Sequence, residues 1–376
     1  MKPVWQAFVA SWCALLADAG VMLLLFGGGV VYAFFYPLPY AHESVQRVPV
    51  AVVDQDRSAL SRQLVRYLDA HPALQVVQVT PDVAPAQDLL WRNEAGGVLI
   101  IPAGMNARVL SGKVAEVELV GHGAYLMLNK AALGGLAEVV GTVSAGIELK
   151  RLAASTPSSV QAAAQRQPLG LNSVPLFNVR EGYGAYLVPG VAVIIIQQTL
   201  LMAVAMLMGT WAERGRVPVP ATPAGWCGLW LTCTSAALLN CAWWFGFVLW
   251  VQDYPRGGNA AGLAVFAVVF SMCAAALAVL LGAWFRSRER SVQLMLGLAV
   301  PILFVAGLSW PSQALPPLLA AVRWVLPSTA GVQGFVALNQ LGASSHDIAP
   351  ELMALAVSGV LFAALGCWRW CRPRAA

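Results

Sequence analysis

Between Tyr186 and Trp211 the chain reads YLVPGVAVIIIQQTLLMAVAMLMGTW, a stretch with no charged side chain. At about 1.5 Å of rise per residue, a helix of this length exceeds the ~30 Å hydrocarbon core of a bilayer. Inside hydrocarbon every backbone N–H and C=O must be satisfied within the segment, so the run predicts a membrane-spanning α-helix. It stops at Ala212, Glu213, Arg214, Gly215 and Arg216, and Pro218, Pro220 and Pro223 punctuate the way to the next apolar run at Trp226. Short basic loops beside spans are retained on the cytoplasmic side, so residues 212–225 are expected there.

Composition carries the same message to the whole chain. With 59% hydrophobic and 11% charged residues and a mean hydropathy of +0.67, the protein is too apolar for an ordinary soluble domain. The formal net charge of +5 comes from basic residues beside the apolar runs, not from a stripe interleaved with aromatics, so nucleic acid is excluded as a partner. Cys13, Cys227, Cys233, Cys241, Cys273, Cys367 and Cys371 all lie in or next to apolar runs, which argues against a disulfide framework or a zinc site.

Taken in order, residues 1–18 place Trp5, Phe8, Trp12 and Leu15 at helical spacing, predicting an amphipathic helix along the cytoplasmic interface. Residues 19–36 are uncharged and long enough to span. They read as an anchor rather than a cleaved signal, because Lys2 is the only basic residue before them and no small-x-small site follows. Gly27, Gly28 and Gly29 allow close helix contact within this span. From Pro37 to Gly182 the character changes. Strands are expected at Val48–Val53, Leu74–Val79, Gly97–Ile101 and Val114–Val120, and helices at Ser58–Ala70, Ala84–Asn93 and Gly104–Leu110. Longer helices from Tyr125 to about Ala164 should return to the membrane, and Pro168 to Arg180 reads as a linker. This alternation predicts an inserted α/β domain at 37–182.

The remaining apolar runs are Tyr186–Trp211, Trp226–Val251, Ala260–Phe285, Ser291–Trp310 and Met353–Trp370. The expected fold class is an α-helical polytopic membrane protein with six transmembrane helices, five of them within 183–376. Lys2, Arg214, Arg216, Arg286, Arg288, Arg290, Arg369, Arg372 and Arg374 then share one side with Glu213, Glu289 and Asp18. The opposite short loops offer only Arg256 and Arg323 against Asp253, Asp347 and Glu351. The positive-inside rule puts the first set, and both termini, in the cytoplasm of a bacterial inner membrane and the α/β domain outside. Residues 311–350 hold two apolar pieces too short to cross, Leu315–Leu326 and Thr329–Leu341. With Pro311, Pro316 and Pro327 around them, they predict a re-entrant segment gating the outer mouth.

No phosphate-binding loop is present: the Gly112-Lys113 pair has Ala107 where that loop needs its first glycine. The chain is therefore expected to be a transport subunit without its own nucleotide site, not an enzyme. His-Glu-x-x-His, Gly-x-Ser-x-Gly and Cys-x-x-Cys are absent too. Asp54 and Asp56 follow a strand, but the spacing reads as a polar turn in which Asp56 or Ser58 caps the next helix rather than a metal site. Gln197 and Gln198 near the middle of one span, and Asn240 in the middle of the next, must find partners in hydrocarbon. They either hold the bundle together or line a substrate path.

Three stretches together resemble a known family: FFYPLPYAHESVQRVPVAVVDQDRSALSRQLVRYLDA at 34–70, GGVLIIPAG at 96–104 and FVAGLSWPSQALPPLLAAVRWVLPSTAGVQGF at 304–335. They look like type-2 membrane permease subunits of ATP-binding-cassette transporters, in the branch with a large extracytoplasmic domain between the first two spans. The resemblance implies a homodimer or heterodimer of permeases on a separate cytoplasmic ATPase that uses the ATP, with no cofactor on this chain. It also implies export of a hydrophobic or amphipathic compound, with a periplasmic adaptor and outer-membrane channel in double-membrane bacteria. Carried over residue by residue, it marks Glu213, Arg214, Gly215 and Arg216 as the ATPase-contact loop. Here Gly209-Thr210 precede the acidic residue that Gly-Thr commonly follows in the family. Two other classes compete with this reading. A membrane-anchored receptor would not need five further spans, and a proton-driven secondary transporter would need an acidic residue in mid-span.

Overall fold

The computed structural model describes residues 1–40, 45–155, 177, 182–254, 256–310 and 314–372. They divide into two compact units, Met1–Glu43 with Pro175–Ala376, and Ser44–Val174.

The chain opens with α1 (Lys2–Leu16), which starts at a proline in its first turn. Its buried face is Ala7, Ser11 and Leu15, spaced by four; Trp5 is exposed, and Phe8 and Trp12 are half-buried. The small residues of this buried face allow a close approach. A Cβ on Gly228 would stand 2.5 Å from the Ala7 Cβ, so only a small-residue face fits there. Asp18 caps the next helix, α2, accepting from the Gly20 and Val21 N–H groups at 3.1 and 3.2 Å. α2 runs through Ala19–Met22, a wide π turn at Leu23–Gly27, and Gly28–Phe35.

The Ser44–Val174 unit is the expected α/β arrangement. Its elements are β1 (Val48–Asp54), α3 (Ala59–Asp69), β2 (Leu74–Thr80), α4 (Val83–Trp91), β3 (Gly97–Ile101), α5 (Met105–Leu110), β4 (Glu118–Gly121) and α6 (Leu126–Ser155). The sheet order is β2-β1-β3-β4, with β1 parallel to both neighbours and β4 antiparallel to β3. Val50, Ala51, Val52 and Val53 are all fully buried, as a central parallel strand covered on both faces requires. Leu64, Leu68, Ala132, Leu136 and Val139 fill one face, and Ala86, Leu89 and Val98 the other. β4 begins four residues later than the sequence suggested, and the Pro168–Arg180 linker lies outside the described residues apart from Phe177. The Asp54 carboxylate accepts from the Asp56 and Arg57 N–H groups and the Ser61 hydroxyl, and Ser58 caps α3, forming the expected polar turn.

The second half holds α7 (Tyr183–Glu213), α8 (Pro223–Cys241, continued through a π segment Ala242–Val248 to Leu249–Val251), α9 (Ala260–Gly282) and α10 (Arg288–Val305). After these come α11 (Pro317–Val322), a 3-10 turn Arg323–Val325, α12 (Pro327–Asn339) and α13 (Ala349–Cys371). α7 is the axis. Every residue from Leu187 to Leu201 and from Ala203 to Trp211 is buried, because α2, α8, α9, α10 and α12 surround it. A helix apolar on all sides needs such enclosure. Around its first half pack Trp244, Phe266, Phe270 and Phe335; around its second half pack Trp226, Ala275, Val279 and Trp370.

Among the described residues, six helices are long and apolar enough to cross a membrane: Ala19–Tyr40, Leu126–Arg151, Tyr183–Glu213, Pro223–Val251, Ala260–Gly282 and Ala349–Cys371. Five are expected spans and one is not. Leu126–Arg151 lies in the α/β unit, where its Ala132, Leu136, Val139 and Val143 stripe covers the sheet. The expected span Ser291–Trp310 corresponds to α10, which opens on Arg288, Glu289 and Arg290 and packs along α7. Both pieces of the expected re-entrant segment are short helices, as their prolines dictate, with Pro316 capping α11 and a buried Pro327 opening α12; Pro311 lies outside the described residues.

Candidate functional site

The loop that follows α7 is built as a rigid element. Gly215 adopts the left-handed conformation, φ +60°, and its N–H donates to the Ala212 carbonyl while that of Arg216 donates to Trp211, closing the helix. Thr222 caps α8 by accepting from the Gly225 N–H at 3.2 Å. Between these ends Val219 is buried, and the Trp370 indole donates to the Pro220 carbonyl at 3.0 Å. Arg214 and Arg216 stand exposed on this pinned loop.

Beside it, three helix ends converge on Arg288. Its Nη2 donates to Asp18 Oδ1 at 2.9 Å while Nη1 reaches Asp18 Oδ2, a forked ion pair. Nη1 also donates to Thr210 Oγ1 at 2.7 Å, and the Arg288 main-chain N–H donates to Glu213 Oε1 at 2.9 Å. Thus Asp18 from the α1–α2 junction, Thr210 and Glu213 from the end of α7, and the first residue of α10 form one polar knot. The Arg288 hydrogen bonds hold the Asp18 carboxyl at about 2 despite partial burial, and the same contact raises the guanidinium further. The close seating needs Gly209, where a Cβ would stand 2.8 Å from the Ser287 carbonyl oxygen. A cavity of about 330 Å³ opens alongside, lined by Trp211, Gly215, Val217, Trp284, Arg286 and Arg369, with the Arg369 guanidinium 5.4 Å over the Trp284 ring.

The residues marked from the sequence therefore divide. Glu213 caps α10 and Gly215 terminates α7, so both have structural work, whereas Arg214 and Arg216 are presented outward. Asp18, Thr210 and Arg288 went unrecognised as a group. The sequence shows Asp18 and Arg288 only as charges expected on one side of the membrane, and that shared side is the available signal.

The mid-helix polar residues also separate. Gln198 donates through Nε2 to the Met295 carbonyl at 2.8 Å, an interhelical bond to α10. Asn240 donates to Ala236 within its own helix and faces Gly29, whose Cβ, if it had one, would lie 3.4 Å from Asn240 Oδ1. Gln197 is fully buried with neither amide atom paired. Pro327, marked as part of an outer gate, opens the buried first turn of α12, while Pro316 precedes an α11 with no buried residue.

Comparison with known proteins finds the linearmycin resistance permease LnrN of Bacillus subtilis (strain 168), 22% identical over 346 residues that cover 84% of each chain. The model of the ABC-2 family transporter proteins matches residues 19–368, spanning both the α/β unit and the helices around α7. With that match over almost its whole length, the chain belongs to the ABC-2 transporter family and is a multi-pass membrane permease of the ATP-binding-cassette type.

Proposed function

We propose that the protein is the permease of an exporter that moves a hydrophobic or amphipathic compound outward from the cytoplasm or inner membrane. A separate cytoplasmic ATPase, expected of this family, burns the ATP, and two permease copies enclose the path. A periplasmic adaptor and outer-membrane channel belong to this reading where a second membrane is present. The pinned loop 212–225 and the Arg288 knot face the cytoplasm, and the α/β unit lies outside.

One observation carries the reading. The exposed Arg214 and Arg216 sit on a stiff loop that directly follows Glu213, a member of the knot that joins α1, α2, α7 and α10. Force applied to that loop reaches several helices together, as a subunit driven from below requires. The proton-driven alternative lacks support, since among the described residues of the helical unit no Asp or Glu is buried. Relatedness to a resistance permease favours outward movement of a toxic compound.

The test is charge reversal at Arg214→Glu with Arg216→Glu. The doubly reversed chain is expected to insert normally but to lose co-purification of the ATPase and ATP-dependent export. Undiminished co-purification and export would remove the loop from the mechanism.

A further inference from the structure

The seam between α7 and α12 gathers polar groups that have no partners. The two helices run antiparallel: Gln340 Nε2, just past the end of α12, donates to the Ala185 carbonyl, and a Cβ on Gly331 would stand 3.0 Å from Val193 Cγ1. One turn beyond Val193 along α7 comes Gln197, and one turn before Gly331 along α12 comes Ser328, followed by Thr329. At about 1.5 Å per residue these side chains reach one height, with Gln197 and Ser328 on the faces that meet. Each of the three residues is at 0% exposure. Even so, both amide atoms of Gln197 and both hydroxyls, Ser328 Oγ and Thr329 Oγ1, make no hydrogen bond.

Buried polar groups are almost always paired, and an unpaired one costs more than an apolar side chain of the same shape. Three buried and unpaired polar side chains on two helices in contact are poor design for a static core. They suit a state in which another molecule supplies the missing partners. The entry side is loosely held. Neither α11 nor the Arg323–Val325 turn buries a single residue, and both lead into α12 through Leu326 in an extended conformation.

We propose that Gln197, Ser328 and Thr329 form a recognition point for the neutral, hydroxyl- or amide-bearing head of an amphiphilic cargo, uncovered when the 317–325 strap moves aside. The inference rests on the permease reading and adds the chemistry of the cargo. An amide and two hydroxyls both donate and accept, and none carries charge. The cation nearest in sequence, Arg323, lies on the strap with its guanidinium 5.0 Å over Trp324. A head that offers donors and acceptors together satisfies all three side chains, whereas an anion or an acceptor-only ester does not.

The test uses the full permease with its ATPase in phosphatidylcholine nanodiscs and three probes sharing one chain: monomyristoylglycerol, methyl myristate and myristate. The readout is the concentration giving half-maximal stimulation of ATP hydrolysis over each complex's own unstimulated rate. Monomyristoylglycerol should act at about tenfold lower concentration than the other two. Combined Gln197→Leu, Ser328→Ala and Thr329→Val should erase that preference and raise the melting temperature, because orphaned polar groups are replaced by apolar ones. Gln197→Leu alone should do the same in smaller measure. Equal response to the three probes, preference for the anion, preference retained in the variant, or a lowered melting temperature would each overturn the proposal. A wild-type chain that binds no ATPase overturns the permease reading with it. A working complex that ignores the head group overturns this inference alone.

Discussion

At the scale of single residues, Arg288 uses its guanidinium on Asp18 and Thr210 and its main-chain N–H on Glu213. Asp18 is 17% exposed in its side chain, so the pair is sheltered enough to matter where a fully solvated pair would contribute little. Asp18→Ala is expected to lower the stability of the purified permease by about 2 kcal/mol, the range of a hydrogen bond to a charged group, read as a drop in melting temperature. The sign of the pH dependence follows from the depressed carboxyl. Stability from Asp18 is complete above its ordinary value of 3.8 and is lost as pH falls from there toward about 2. The gap in melting temperature between wild type and Asp18→Ala should therefore be constant from pH 7 to about 5 and close on the acid side. A gap that stays open at pH 2 would mean the carboxylate acts through packing alone. None of this was legible beforehand, because a charge tally sees Asp18 and Arg288 as two members of a sum, 270 residues apart, and says nothing of which side chains meet.

Helices and strands were far more legible than their partners. β1, β3 and α7 emerged close to where runs of Val, Ile and Leu placed them, since burial on both faces of a strand, or all round a helix, leaves a continuous apolar signature. α6 did not reveal its partner, because it mixes apolar length with a few charges, and composition does not distinguish a helix lying on a sheet from one lying against another helix. Contact depends on small residues instead. Gly209→Val should drive a side chain into the Ser287 carbonyl and destabilise the permease by about 1–3 kcal/mol through overpacking. Gly134 on α6 meets no atom within 4 Å, so Gly134→Ala should raise stability by about 0.5–1 kcal/mol through helix propensity. Thermal unfolding of the two variants side by side checks both, and equal losses would show that the seating of α10 on α7 does not depend on Gly209.

For the molecule as a whole, the proposed function puts the α/β unit outside the cell membrane and has the helical unit driven from within. That division has a direct topological consequence. In a background without reactive native thiols, Glu138→Cys on α6 should react with a membrane-impermeant maleimide in intact cells, and Arg290→Cys should react only after permeabilisation; the reverse pattern would invert the molecule. The charge asymmetry that predicts this was readable in the sequence, whereas the joining of α1, α2, α7 and α10 through one arginine was not. The central claim is that this chain is a conduit without its own fuel. It is tested most directly by ATP-dependent uptake into inverted vesicles carrying the permease with its ATPase. The account predicts no ATP hydrolysis by the purified permease, hydrolysis and transport by the complex, and loss of both when the ATPase's phosphate-loop lysine is replaced. Hydrolysis by the permease alone, or transport that survives the lysine replacement, would contradict it.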